Sequence, residues 1–307
     1  MFIEKIIKRA ILFAATSTIS LLLASSVFAS NHGQQSFQLP IISQYMMMTY
    51  PVPSNVMNNA PYSEINRLCL FSVQYNNGTI EWQPATSSDT QAECWNNFNT
   101  IYTACTSTNS ACQIFVAMDP NANYSAMAQD KNLGTEIVDF LTSNQGEKQL
   151  SGIDLDWEND FSQSDMESVV INIAGAFNTY NESHANHLTL TMTLWLGKTD
   201  FINNDPPIYN NVSQFNCMSY TNNFSSYEST YYNFTNKLVA GVEEEVGYSS
   251  QNTQDIQNEC TSANGGEIAG VFGWRMDNDS CTSPSTHNPA YTFTNLIYSD
   301  FGSPVIN

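Results

Sequence analysis

The stretch Ser151-Gly152-Ile153-Asp154-Leu155-Asp156-Trp157-Glu158 limits this chain more than any other, because three carboxylates recur at alternate positions. In an extended strand alternate side chains share a face, so Asp154, Asp156 and Glu158 stand in a row while Ile153, Leu155 and Trp157 take the other side. Carboxylates stacked this way do not all ionise freely. At least one is expected to stay protonated near neutral pH, which is the condition for a general acid. A solvated surface strand and a calcium loop compete with this reading, but an acidic surface strand rarely ends in Trp-Glu. The segment also lacks the glycine and the ligand spacing of a calcium hand.

Further strand patterns follow in order. Residues 188–194 (LTLTMTL) alternate and are rich in β-branched side chains, as a buried strand is; residues 215–220 (FNCMSY), 237–242 (KLVAGV) and 270–277 (GVFGWRMD) read as three more. Upstream, residues 39–45, 65–73 and 112–118 read as the first three strands, and 125–141 as one helix with Met127, Leu133, Ile137, Val138 and Leu141 at core spacing. Met46, Met47 and Met48 suit core filling, or an apolar wall against a sugar.

The carboxylate segment resembles the catalytic signature of glycoside hydrolase family 18, the chitinase family, which reads Asp-x-x-Asp-x-Asp-x-Glu on the fourth strand of a TIM barrel. Gly152, Asp154, Asp156, Trp157 and Glu158 match, whereas Ser151 stands where the family has its first Asp. The strands at 188–194, 215–220 with its Met218-x-Tyr220 element, 237–242 and 270–277 are similar to the family's fifth to eighth. Ala117-Met118-Asp119-Pro120 occupies the place of the family's Ser-x-Gly-Gly turn, a second departure.

The resemblance implies a single (β/α)8 domain whose active groups sit at the C-terminal ends of the strands. It implies substrate-assisted retention, in which the sugar's own N-acetyl carbonyl attacks the anomeric carbon. Glu158 then protonates the leaving oxygen, Asp156 orients the acetamido group, and Asp154 lies beneath as its proton partner. Tyr220 bonds the acetamido carbonyl, Trp274 stacks under the sugar, and Met218 and Trp157 complete the binding surface. No cofactor or metal is implied, and the partner is an N-acetylglucosamine-containing glycan, chitin-like or the core of an N-linked glycan, taken by a monomer. Two alternatives stay open: a glycan-binding lectin without catalysis, and a two-carboxylate retaining glycosidase pairing Glu158 with Glu243, the first of three glutamates after the seventh strand.

Composition agrees with an exported glycan enzyme. Lys5, Lys8 and Arg9 precede an apolar run from Ala10 to Leu23, and Val27-Phe28-Ala29 offers a cleavage site, so residues 1–29 read as a secretory signal and 30–307 as one barrel domain of about the usual ~250 residues. The run is too short and too broken for a membrane span. The formal charge of −20 argues against nucleic acid or an anionic membrane as partner. For the seven cysteines, export predicts disulfides: Cys260 with Cys281, one pair among Cys94, Cys105 and Cys112, and free buried thiols at Cys69 and Cys217. Zinc is not expected, because no Cys-x-x-Cys pair exists and His32, His184, His187 and His287 are scattered.

Overall fold

Alternation fixes the architecture: each strand sends one set of side chains inward and the other toward covering helices. The computed structural model describes residues 40–48, 52–84, 90–142, 148–158, 162–220, 224–245, 253–281 and 289–302, all within one compact unit, Phe37–Asn307. The expected signal at 1–29, His32, His287 and Leu39 of the first strand lie outside the described residues. The strands are β1 (Ile41–Met47), β2 (Arg67–Asn76), β3 (Thr79–Trp82), β4 (Gln113–Met118), β5 (Gly152–Asp156), β6 (Thr189–Leu194), β7 (Gln214–Cys217), β8 (Leu238–Glu243) and β9 (Gly270–Trp274). All pair in parallel except β3, and contact of β1 with both β9 and β2 closes eight of them into a (β/α)8 barrel.

The helices are α1 (Ser54–Asn59), α2 (Gln91–Thr108), α3 (Tyr124–Gln129), α4 (Leu133–Thr142), α5 (Gln163–Asn181), α6 (Pro206–Asn211), α7 (Ser225–Thr230), α8 (Thr253–Asn264) and α9 (Thr292–Asp300). Local chemistry starts the long ones. Thr90 and Glu93 form a capping box ahead of α2, and Ser162 accepts from the Asp165 amide ahead of α5. Two apolar cores result. Ile41, Tyr45, Cys69, Phe115, Ala117, Val239 and Phe272 fill the barrel, whereas Leu68, Leu70, Val116, Ile153, Leu155 and Met192 belong to the larger core under the helices.

The structure differs from the sequence reading in three places. The helix expected over 125–141 is two, because Asp130 breaks it: its Oδ1 accepts from the Asn132 amide at 2.8 Å and its backbone carbonyl from Asn172 Nδ2 at 3.1 Å, a local alternative to helical bonding. The second strand runs on to Asn76 and turns through Asn77 and Gly78, with φ of 49° and 87°, into the antiparallel β3. Positive φ at both central positions is what the Asn-Gly pair supplies. Met46, Met47 and Met48 are buried in the outer core, as the core-filling expectation has it.

The third difference concerns the cysteines: no two of them are disulfide-bonded, so Cys260 and Cys281 are not joined. Each is buried, and Cys94 and Cys105 fall on the inner side of α2 instead of in a polar loop. Cys112 Sγ donates to the Gln113 carbonyl at 3.7 Å. Cys69 and Cys217 are free and buried, as read from the sequence; burial pushes both thiols up, and pushes Cys260 up to about 12.

Candidate active site

Asp154 and Asp156 point into the barrel because Gly152 sets their phase. A Cβ at Gly152 would lie 2.0 Å from the Thr189 carbonyl oxygen and 2.6 Å from the Phe115 ring, so only glycine lets β5 pack this closely against β6 and Phe115. The register pairs Ala117 with Asp154, Asp154 with Thr191, and Asp156 with Thr193.

Asp154 is fully buried but well supplied with donors. Oδ1 accepts from Thr191 Oγ1 at 2.5 Å and Asn216 Nδ2 at 2.9 Å; Oδ2 accepts from Thr193 Oγ1 at 2.7 Å and the Tyr45 hydroxyl at 2.9 Å. Burial raises its pKa; the threonine and tyrosine hydrogen bonds and the charge of Arg67 pull the other way. Arg67 lies within the barrel, its guanidinium 4.3 Å above the Phe115 ring centroid and bonded to Gln113 and Gln214, and burial lowers it only to about 10. Four donors and a nearby cation suit the anion.

Asp156, one step up the same face, has the opposite environment. Its Oδ1 is buried without a hydrogen-bond partner among the described residues. Burial, then Glu158, Asp154 and Asp119, push the carboxyl well above its ordinary range. Both buried carboxyls of the strand are raised, Asp156 further than Asp154, whose donors and Arg67 offset part of the cost of burial. Glu158 follows the strand at the C-terminal mouth, half-buried, raised first by burial and then by Asp119. The row expected from alternation is present.

Asp119 was not singled out by sequence reading, although the departure from the Ser-x-Gly-Gly turn marks its place. It follows β4, and continuing the Ala117 to Asp154 register by two residues sets it beside Asp156. Asp119 Oδ2 accepts from Ser72 Oγ at 3.3 Å and Oδ1 from the Asn121 amide at 2.8 Å. Its charge disfavours ionisation of its neighbours. In a carboxyl-carbon NMR titration, Asp119→Asn is expected to lower the Glu158 midpoint; an unmoved midpoint contradicts the placement. Tyr45, Thr191, Thr193 and Asn216 were also missed, since the threonine alternation of β6 was legible as a strand but not as a set of donors to Asp154.

Aromatic groups close the mouth opposite. Trp274 ends β9, half-buried, with its ring 5.5 Å from Tyr45 and 5.0 Å from Phe71. Tyr220, beyond β7, packs 6.1 Å from Phe272, and burial followed by Glu243, Asp156 and Glu158 pushes its phenol up, leaving it a neutral donor. Met218 is half-buried next to it, and its carbonyl accepts from the Tyr227 hydroxyl at 2.8 Å. Trp157 is placed differently. It is 1% exposed and packs between Tyr124 and Phe201, because it falls on the helix-facing phase of the strand, out of step with the carboxylates. Among the described residues no group of three His, Cys, Asp or Glu is placed to hold a metal ion.

A closed parallel barrel with an Asp-x-Asp-x-Glu row rising to its C-terminal mouth, faced by Tyr220 and Trp274, is the observation the comparisons meet. The class V chitinase of Nicotiana tobaccum superposes with a TM-score of 0.64 at 15% identity, over 86% of this chain and 100% of its own. The GH18 chitinase from Cycas revoluta, solved in complex with (GlcNAc)3, gives 0.60 at 13%, over 85% and 100%. The chain has the fold of the family 18 chitinases. The same fold is shared by a chitinase-like agglutinin of Robinia pseudoacacia, with a TM-score of 0.63 at 14% identity over 85% of this chain and 99% of that one. No family model and no curated protein matches the sequence.

Glu243, from the two-carboxylate alternative, ends β8 almost fully buried, and its Oε1 accepts from the Glu245 amide at 3.0 Å. Burial raises it from 4.5 to about 7. Its neighbour Glu244 turns outward against Gly273, where a Cβ would lie 2.1 Å from Glu244 Oε1, and that oxygen accepts from Gln44 Nε2 at 2.8 Å. A carboxyl raised on folding binds its proton more tightly in the native state, so its stabilisation is complete below about 4.5 and is lost as pH rises through about 7. The thermal midpoint is therefore expected to fall across that window, with Glu243 contributing up to about 3 kcal/mol. Glu243→Gln should flatten the fall; an unchanged slope in a series of melts contradicts the assignment.

Proposed function

We propose that the protein is a glycoside hydrolase of family 18 that cleaves β-linked N-acetylglucosamine, in chitin-like polymers or the core of N-linked glycans, by substrate assistance. The observation that carries this reading is Glu158 at the barrel mouth, raised by burial and by Asp119, above the buried pair Asp154 and Asp156 on the same face of the strand. A sugar resting on Trp274 presents its glycosidic oxygen to Glu158, which donates its proton to the departing sugar. The N-acetyl carbonyl attacks the anomeric carbon from the other face and forms an oxazolinium ion. Asp156 orients the acetamido nitrogen, with Asp154 fixed beneath it by four hydrogen-bond donors, and Tyr220 donates to the acetamido oxygen. Glu158, now a carboxylate, takes a proton from the water that opens the oxazolinium, restoring the acid. We further propose that the protein is exported, on the strength of residues 1–29, and acts as a monomer without a cofactor.

The likeness to the Robinia pseudoacacia agglutinin and the serine at position 151 favour a second reading, a glycan-binding protein without catalysis. One screen separates the two. N-acetylchito-oligosaccharides and a high-mannose glycopeptide are incubated with the protein, and reducing ends and binding are both measured. Release of reducing ends from either substrate is expected; binding without release points to the agglutinin-like reading. Under substrate assistance the second reacting group belongs to the sugar, so Glu243→Gln is expected to change kcat/KM only a few-fold, whereas loss of a nucleophile costs orders of magnitude.

A further inference from the structure

Ile171, Trp195 and Tyr232 are the large apolar side chains that stand exposed among the described residues. Ile171 lies on α5 and Tyr232 in the turn after α7, both away from the strand ends. Trp195 is 42% exposed and directly follows β6, at the C-terminal side of the barrel where Glu158 stands. The β5–β6 register pairs Asp156 with Thr193, and continuing it by two residues sets Trp195 on the side of Glu158. Nothing in the sequence reading or in the roles above uses this indole.

Its backbone is held firmly although its ring is not packed. The Trp195 carbonyl accepts from the amides of Lys198 and Thr199 at 3.0 and 3.1 Å and from Thr199 Oγ1 at 2.9 Å. Thr199 Oγ1 in turn bonds the Tyr231 hydroxyl at 2.6 Å, and both residues are fully buried. The next amide, of Leu196, donates to the Tyr227 hydroxyl at 3.3 Å, which itself donates to the Met218 carbonyl. A large aromatic ring kept in water on an immobile backbone loses little entropy when something stacks on it.

In the closed ring of eight strands, β9 and β5 are four apart in either direction, so Trp274 and Glu158 face each other across the mouth. Trp195 lies beside Glu158, away from Trp274. We infer that Trp195 is the stacking platform for the sugar on the leaving-group side of the scissile bond, a β-linked N-acetylhexosamine or similar pyranose. An indole face complements the apolar face of a pyranose, and the row Trp274, Glu158, Trp195 places the bond to be cut between two aromatic platforms. This inference rests on the glycosidase reading, which orients the glycan by the acid.

The test compares the full-length protein with Trp195→Ala and Trp195→Phe on N-acetylchitotetraose, measuring kcat and KM, with thermal melts to confirm folding. Trp195→Ala is expected to raise KM about tenfold or more, and Trp195→Phe to recover most of the loss, because a ring is what the site needs. An unchanged KM in the alanine variant, or a phenylalanine variant no better than alanine, overturns the platform. A wild type that does not cleave contradicts the function itself. Calorimetric titration of the same proteins with N-acetylchitotetraose then decides the platform alone: about tenfold weaker binding by Trp195→Ala supports it, and equal affinities or no binding by the wild type overturn it.

Discussion

Glu158→Gln is expected to abolish hydrolysis of N-acetylchito-oligosaccharides while leaving folding and glycan binding nearly intact. The amide keeps the shape of the side chain but has no proton to transfer, and general acid catalysis contributes about 10²- to 10⁴-fold. The loss should appear in kcat, since the ground-state contacts of the sugar with Trp274 and Tyr220 are untouched. The substitution also removes the Glu158 charge that helps raise Asp156, so the Asp156 carboxyl should titrate at lower pH in the variant. Reducing-end assays and a carboxyl NMR titration read the two effects separately. A variant retaining more than half the wild-type rate would sink the assignment of Glu158.

The second large effect is expected from Asp156→Asn. Burial and three neighbouring carboxylates raise Asp156 well above its ordinary range, and its unpartnered Oδ1 is the group free to engage the acetamido nitrogen. Asparagine can bond an N–H but can neither take up charge nor pass on a proton as the oxazolinium forms. A fall in kcat of roughly 10²-fold with a small change in KM is therefore expected. The advantage of N-acetylated over non-acetylated substrates should narrow at the same time. If the variant keeps both its rate and its preference, Asp156 has no part in the acetamido step.

The barrel was legible because its strands alternate apolar residues around fixed polar ones, and the Asp154, Asp156, Glu158 row was legible because a period of two places all three on one face. What alternation does not reveal is which distant residues meet that face. Tyr45, Thr191, Thr193 and Asn216 come from three other strands, and only the closure of the ring brings them to Asp154. Asp119 was visible as a departure from the family turn, yet its bearing on Glu158 depends on the β4–β5 register. Trp157 shows the converse error. Its own phase, opposite to the carboxylates, already assigned it to the outer core, and the motif resemblance outweighed that signal. The disulfide expectation failed through the same kind of omission, since pairing was inferred from sequence proximity while α2 and α8 turn Cys94, Cys105 and Cys260 into apolar packing.

The central claim is that the sugar's own acetamido group serves as the nucleophile over Glu158 and Asp156. It is tested most directly by giving the wild-type protein N-acetylchitotetraose and the fully de-N-acetylated tetramer at equal concentration, and following reducing ends released from each. The account predicts ready cleavage of the first and almost none of the second, with a thiazoline analogue of the oxazolinium inhibiting strongly because it resembles the charged species the site stabilises. Comparable cleavage of both tetramers, with indifference to the thiazoline, would contradict it and leave Glu158 working with an enzyme carboxylate such as Glu243.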